Sequence, residues 1–316
     1  MPENQLAHFD REISRFPSEA REHLTNLPQQ CGALTATDVN RLRSLLGIDT
    51  PQLMVQLLPV AAAFARTPVS NFSVGSVAAG IPTASGDVAL YLGANFEVAG
   101  GVLGLTVHAE QAASVNAWLS GETGLSSLAA SAAPCGCCRQ FLCELGQEQF
   151  LNIVRPANVP PGYDSKPLSL LLPQAFVPAD LGIKSAFMAR NDDYPRLRVF
   201  ASDENDLRIA ALRAAEASYA PYTGTFAGCA IRMAGGEIFV GRSVENAAYN
   251  PSLSAVQTAF VMMNMSLSRG DLTAVDRIAL VECATTATQL PLTKTLVETL
   301  APQADFEYCQ ATEQAG

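Results

Sequence analysis

Helical spacing dominates the first sixty residues of the chain. Leu42, Leu45 and Leu46 recur along one side of a helix behind Thr35-Ala-Thr-Asp-Val, whose polar residues are N-cap candidates. Pro51 is placed to open another helix, with Leu53, Val55, Leu57 and Leu58 as its apolar residues. Near Pro68 the pattern shifts to short apolar runs. Phe72-Ser-Val-Gly-Ser-Val-Ala and Val88-Ala-Leu-Tyr-Leu predict strands, joined by a turn between Gly80 and Gly86. An alanine-rich helix is expected from His108 to Leu119 and a buried strand within Leu125 to Ala133. A further helix is expected from Cys135 to Leu145, with Phe141, Leu142 and Leu145 on one side. Strands alternating with helices predict a layered α/β domain.

From Arg155 to Tyr194 the chain is rich in proline and loop residues and reads as a connector. Leu168 to Leu172 and Phe176 are too apolar for a free linker, so the connector is expected to pack against the rest. Ser202-Asp-Glu-Asn then caps an alanine-rich helix reaching about Tyr219. Beyond this helix the chain repeats the order of the first domain. Tyr222 to Ile231 parallels Val69 to Ala78, and Gly235 to Gly241 parallels Gly86 to Gly93. Gly241-Arg-Ser-Val-Glu245 can be laid on Gly93-Ala-Asn-Phe-Glu97. A helix from Ser254 to Met265 matches the one from His108, and Arg277 to Glu282 reads as the next strand. The period exceeds that of a solenoid and predicts a duplicated domain. The expected division is a helical region over 1–52, a domain over 53–154, a connector over 155–200 and a second domain over 201–316.

Composition narrows what such a chain does. At 48% hydrophobic and 16% charged, its 316 residues can bury two cores and do not describe a disordered chain. Twenty lysines and arginines against thirty acids leave a net charge of −10, which weighs against nucleic acid or an anionic membrane as the main partner. The polar, mixed-charge start from Met1 to Phe16 is unlike a signal peptide. Leu53 to Ala65, the most apolar stretch, is broken by Gln56 and Pro59 and is too short to span a bilayer. Four of the eight cysteines (Cys135, Cys137, Cys138, Cys143) fall within nine residues. That clustering points to a metal or catalytic site in a reducing compartment, so a cytoplasmic protein is expected.

The strongest chemical signal is His108-Ala-Glu110, followed after a helix and a strand by Pro134-Cys135-Gly-Cys-Cys138. One imidazole and two thiolates make a zinc set, and three protein ligands leave a fourth position for water, as in a catalytic site. Free N–H groups and the positive dipole end at a helix start favour thiolates there. Arg139 and Gln140 are placed to add donors nearby. Zinc brings the pKa of its bound water towards neutrality. Glu110, on the first helical turn, is placed to face that water and carry protons, an H-x-E and P-C-x-x-C arrangement found in zinc deaminases. Either half alone would be weak, and chance in an alanine- and cysteine-rich helix pair is the plain alternative. Both halves in order, with proline before the first cysteine, argue against it. Cys137 reads as a spectator thiol, with ligand exchange with Cys138 as the alternative, and Cys143 reads as core.

Together, Phe72-Ser-Val-Gly75, Gly93-Ala-Asn-Phe-Glu97, His108-Ala-Glu-Gln111 and Pro134-Cys-Gly-Cys-Cys-Arg-Gln140 resemble the cytidine deaminases. Leu172-Pro-Gln-Ala-Phe176 and the faded second domain resemble the two-domain, homodimeric bacterial form. The resemblance covers most of the chain from about Leu53 onward. It implies a three-layer α-β-α cytidine deaminase fold, present twice, after a small helical N-terminal region. It also implies one Zn2+ per chain and hydrolysis of cytidine and 2′-deoxycytidine to uridine and 2′-deoxyuridine, with release of ammonia. Hydroxide on zinc would attack C4 while Glu110 protonates N3 and then serves the departing amine.

Carried over by position, the resemblance makes His108, Cys135 and Cys138 the zinc ligands and Glu110 the proton shuttle. It makes Asn95 and Glu97 the ribose-binding pair, and residues two apart on a strand do point the same way. Without the neighbouring motif they would read as a turn residue and a surface acid. Phe72 takes the place of the aromatic against the pyrimidine (by itself it would read as core), and Ala109 that of the backbone meeting the base. Phe176 lies where the family closes the neighbouring subunit's site.

Two departures stand out. Ser131-Ala-Ala precedes Pro134, where relatives can carry more polar or aromatic residues. In the second domain Ser254-Ala-Val-Gln257 replaces His108-Ala-Glu-Gln111, no P-C-x-x-C comes after Glu282, and Cys283 alone is no ligand set. That domain is expected to be catalytically inert and to serve assembly and site closure. Two other readings stay open: a deaminase of a nucleotide, another base or cytosine in nucleic acid, and a zinc-stabilised binding protein without turnover. The acidic balance weighs against nucleic acid, the Asn95 and Glu97 pair against a phosphorylated sugar, and the intact Glu110 against the binding protein.

Overall fold

Caps and apolar spacing set the N-terminal helices of the computed structural model, which describes residues 2–147, 150–189, 195–199, 205–266, 271–283 and 285–314. Helices α1 (Pro2–Ile13) and α2 (Ser18–Leu24) lead to a two-residue strand β1 (Ala33–Leu34), then α3 (Ala36–Leu46) and α4 (Thr50–Ala62). Thr35 caps α3 by accepting from Asp38 N, and left-handed Gly47 ends it. Asp49 and Gln52 exchange capping-box bonds at the start of α4, one residue before the helix start expected at Pro51.

The first domain continues with β2 (Gly75–Gly80), β3 (Leu90–Ala94), α5 (Ala109–Leu119), β4 (Leu125–Ala130) and α6 (Gly136–Cys143). After it come β5 (Asn152–Pro156), β6 (Tyr163–Pro167) and α7 (Leu168–Leu171). Its sheet has the order β1-β3-β2-β4-β5-β6, and only β4 and β5 run parallel. The second domain comprises β7 (Leu197–Val199), α8 (Asp206–Glu216), β8 (Ala227–Met233), β9 (Ile238–Arg242), α9 (Ala255–Asn264), β10 (Val275–Glu282), α10 (Leu290–Leu300) and β11 (Asp305–Glu313). Its sheet has the order β7-β11-β10-β8-β9, again with one parallel pair, β10 and β11.

The duplication is visible where helices meet sheets. A Cβ on Gly75 would lie 2.2 Å from Leu58 O on α4, and one on Gly228 would lie 2.1 Å from Ala211 O on α8. On the opposite face, a Cβ on Gly93 would lie 2.1 Å from Ala113 N on α5, and one on Gly241 would lie 2.2 Å from Ala259 N on α9. In both domains the absent side chain lets a helix backbone rest directly on a strand.

Two stretches differ from expectation. The first sheet runs past residue 154: β5 crosses it, and β6 pairs with β5 inside the expected connector. Tyr163-Asp-Ser-Lys-Pro has no apolar alternation because both faces of this edge strand are largely exposed and backbone pairing sets it. Leu168 is buried as expected, whereas Leu170 and Phe176 are exposed. Helix α8 is capped by Asn205, accepting from Leu207 N; Ser202, Asp203 and Glu204 lie outside the described residues.

The outer face of the first sheet packs on the N-terminal helices through Phe9, Leu24, Leu57, Val77 and Leu90. The inner helical layers of the two domains share one core, with Val107, Val115 and Phe141 meeting Val244, Phe260 and Leu280. Phe96 stacks on Phe260 with centroids 6.3 Å apart. No single helix among the described residues is long and apolar enough to cross a membrane.

One buried acid ties the domains together. Glu144, wholly buried after α6, accepts from Tyr219 Oη at 2.8 Å, from Tyr222 Oη, and from Ala247 N at 2.9 Å. Burial raises its pKa, and the tyrosine and backbone donors act against that shift. Glu144→Ala removes both oxygens that accept these three second-domain hydrogen bonds, so it should cost about 3 kcal/mol, read as a shift in the denaturant midpoint.

Candidate active site

Local sequence brings two helix N-termini together. His108, in extended conformation, stands one residue before α5, and Cys135 one residue before α6. Gly93 seats α5 on the sheet, and Ser131 fixes the exit of β4 by exchanging bonds with Gly75: N to O at 3.0 Å, and Oγ from N at 3.1 Å.

The result is a compact triangle of soft donors. His108 Nδ1 is 3.5 Å from Cys135 Sγ and 3.3 Å from Cys138 Sγ, and the two sulfurs are 3.6 Å apart. No disulfide joins any two of the eight cysteines, all of which lie among the described residues. Tetrahedral zinc, with Zn–S about 2.3 Å and Zn–N about 2.0–2.1 Å, needs donor atoms roughly 3.5–3.8 Å apart, so the triangle fits that ion. Two thiolates and an imidazole also suit zinc better than an oxygen-seeking cation. Burial, with the nearby charges of Glu110 and Cys135, pushes the Cys138 thiol well above its ordinary range; a dication at the triangle reverses that balance. Among the described residues this is the only such group of three His, Cys, Asp or Glu side chains.

The triangle opens on a cavity of about 280 Å³ that Phe72, Asn95, Glu97, Ala109 and Glu110 also line. Glu110 is buried and in hydrogen-bonding reach of Cys138. Ala109 is the first residue of α5, so its N–H belongs to the unpaired first turn. Phe72 precedes β2 in a loop and is 62% exposed, so it is not core.

Asn95 and Glu97 lie just beyond β3 on either side of Phe96, both buried, and both hold the loop that carries Phe72. Asn95 Oδ1 accepts from Val74 N at 2.8 Å, and Nδ2 donates to Phe72 O at 2.9 Å. Glu97 accepts from Val69 N and Ser70 N, each at 3.0 Å, and from Ser70 Oγ. Burial opposes ionisation of Glu97, but the Ser70 and Val69 donors outweigh it and lower its pKa. The side chain is therefore a carboxylate at neutral pH.

Other residues are placed elsewhere. Arg139 and Gln140 do not serve the thiolates. Arg139 donates to Pro134 O at 2.9 Å and Leu171 O at 2.7 Å, and Gln140 donates to Phe176 O at 2.6 Å, strapping the 171–176 segment onto α6. Phe176 is half exposed and does not line the cavity of its own chain. Cys137 is exposed and outside the triangle, and Cys143 is buried in the core. Gln111 also belongs to the site, a role that its place three residues after His108 signals as a capping box; its Oε1 accepts from His108 N at 3.1 Å.

In the second domain the loop clasp survives and the ligands do not. Glu245 accepts from Tyr222 N at 2.8 Å, Thr223 N at 3.1 Å and Thr223 Oγ1, as Glu97 does from Val69 and Ser70. Ser254 stands in the place of His108. Gln289, which precedes α10 as Cys135 precedes α6, accepts from Ala255 N at 2.9 Å.

A family model described as "Cytidine and deoxycytidylate deaminase zinc-binding region" matches residues 49–153, and a second model of the same description matches residues 168–294. The cytidine deaminase of Shewanella amazonensis is 41% identical over 265 residues, 82% of this chain and 85% of that protein. The cytidine deaminase of Aliivibrio fischeri is 37% identical over 310 residues, 94% of this chain and 99% of that one. The chain belongs to the cytidine deaminase family. The expected duplicated α/β fold of the cytidine deaminases holds, and the His108, Cys135 and Cys138 triad lies in the zinc-binding region of the first domain. The second match spans the copy in which Ser254 and Gln289 replace the ligand positions.

Proposed function

We propose that this cytidine deaminase family member hydrolyses cytidine and 2′-deoxycytidine to uridine and 2′-deoxyuridine, releasing ammonia. The convergence of His108, Cys135, Cys138 and Glu110 at one end of a cavity with Asn95 and Glu97 carries this reading. When bound by the triad, zinc supplies a water acidic enough to yield hydroxide near neutral pH. The Glu110 carboxylate takes one proton from the water and delivers it to ring N3 as the water oxygen adds to C4, then takes the remaining proton from the new C4 hydroxyl and passes it to the amine as the C4–N4 bond breaks. The water oxygen ends as the uracil carbonyl, and nitrogen leaves as ammonia.

The cavity supports a nucleoside with an unphosphorylated sugar. A carboxylate offers about four acceptor sites and an amide two donors. Glu97 has three loop donors and Asn95 spends one N–H on Phe72 O, so each keeps capacity for one sugar hydroxyl. The Ala109 N–H is free to meet the base carbonyl, and Phe72 lies against the pyrimidine. We assign Phe176, exposed and outside its own cavity, to closing the site of a second copy in a homodimer.

Ammonia release and uridine formation from cytidine, measured with zinc quantified, test this reading. Cytidine monophosphate should react with a kcat/KM on the order of 100-fold lower, because the Glu97 carboxylate repels a nearby phosphate. Preference for the nucleotide or single-stranded DNA would point to another deaminase, and bound zinc with no turnover to a binding protein.

A further inference from the structure

Each domain receives a glutamine from the other. Gln111 accepts from His108 N and donates through Nε2 to Pro251 O of the second domain at 3.1 Å. Gln257 accepts from Ser254 N at 3.0 Å and Ser254 Oγ at 2.8 Å, and donates through Nε2 to Leu105 O of the first domain at 3.1 Å. Both glutamines are buried, so water is a poor substitute for either bond.

Leu105 ends a 3-10 turn that leads directly into Thr106, which lines the cavity, and then into His108. Val107 is clamped by paired bonds with Phe96, at 2.9 Å and 3.0 Å, and Phe96 in turn stacks on Phe260 of α9. The segment entering the metal site is thus held on one side by the residues just beyond β3 and on the other by α9. The domain without ligands keeps, in Gln257, the donor that reaches the active one.

We propose that Gln257 is a positioning residue for the first-domain site, acting through Leu105 to fix Thr106 to His108, as Gln111 fixes His108 through its bond to Pro251. The inference rests on reading the first domain as the zinc deaminase. It gives the second domain a specific part in catalysis, beyond burying apolar surface.

Gln257→Glu is the test, because it keeps size and the acceptor for Ser254 while turning the Leu105 donor into an oxygen facing a carbonyl. With zinc still at one per chain, kcat for cytidine should fall about 10–100-fold with KM moved less than about threefold, and zinc loss to 4-(2-pyridylazo)resorcinol should quicken about tenfold. Gln257→Met removes the donor without adding charge, for use if the glutamate variant fails to fold. Asn264→Asp is the control. It breaks the other α9 bond to the first domain, Asn264 Nδ2 to Phe64 O at 2.6 Å, and should lower Tm while leaving kcat and zinc release at wild-type values. Equal losses of Tm in both variants, with kcat and zinc release unchanged in both, would overturn the proposal. Wild-type protein that binds zinc but does not deaminate cytidine would defeat the functional reading instead, and the zinc-release comparison would still decide the positioning one.

Discussion

In the Glu110→Gln protein, deamination of cytidine falls about 10²–10⁴-fold while zinc stays at one per chain. Glutamine matches glutamate in volume, so a side chain that is 4% exposed is replaced without opening the cavity floor. The backbone contact of this turn, Ser114 Oγ donating to Glu110 O at 2.8 Å, involves no side-chain atom of residue 110 and persists. What disappears is a group able to accept a proton and release it within one turnover. The charge of Glu110 also opposes ionisation of Cys138, so neutralising it favours metal retention. Turnover assays beside zinc analysis separate the two effects. Full activity in this variant would remove Glu110 from the mechanism.

Short-range signals were readable from the chain. Thr35 caps α3, and His108 and Cys135 each stand one residue before a helix, because the cap competes for the same backbone donors that the motif exploits. Partners set by the tertiary fold were not. Asn95 reaches Val74, 21 residues away, and Gln140 reaches Phe176, 36 residues away; neither pairing leaves a periodic trace. The sequence suggested a solvated acid at Glu97, or at most a sugar ligand, whereas the fold also uses it to hold a loop. The retained clasp at Glu245 explains why that acid outlives the ligands in the second domain: the loop needs it whether or not a sugar binds. Beyond Glu282, α10 and β11 went unrecognised, although Leu292, Leu296, Val297 and Leu300 recur with helical spacing.

Comparison of the two copies leads to the other large effect. Cys138→Ala should lose zinc and bring turnover to background, well beyond the roughly 10–100-fold cost of losing an outer-shell partner. Cys137→Ala should change neither, because that thiol is exposed and lies outside the triangle. In the first domain, the starts of α5 and α6 are joined through three metal donors, so removing one unties the helices as well as the chemistry. The starts of α9 and α10 are joined without metal: Gln289 accepts from Ala255 N, and Glu282 holds Gln289 N at 2.8 Å and Thr288 Oγ1 at 2.6 Å. Stripping zinc with a chelator should therefore abolish turnover and weaken the first domain while the second keeps its structure. Hydrogen exchange resolved along the chain reads both outcomes in one experiment. Protection should fall in residues 105–143, around the triangle, and hold in α8, whose Leu207, Ala211 and Ala215 lie in a separate second-domain core. Equal loss of protection in both copies would mean that the metal stabilises the chain as a unit, and that Gln289 has not taken over its structural work.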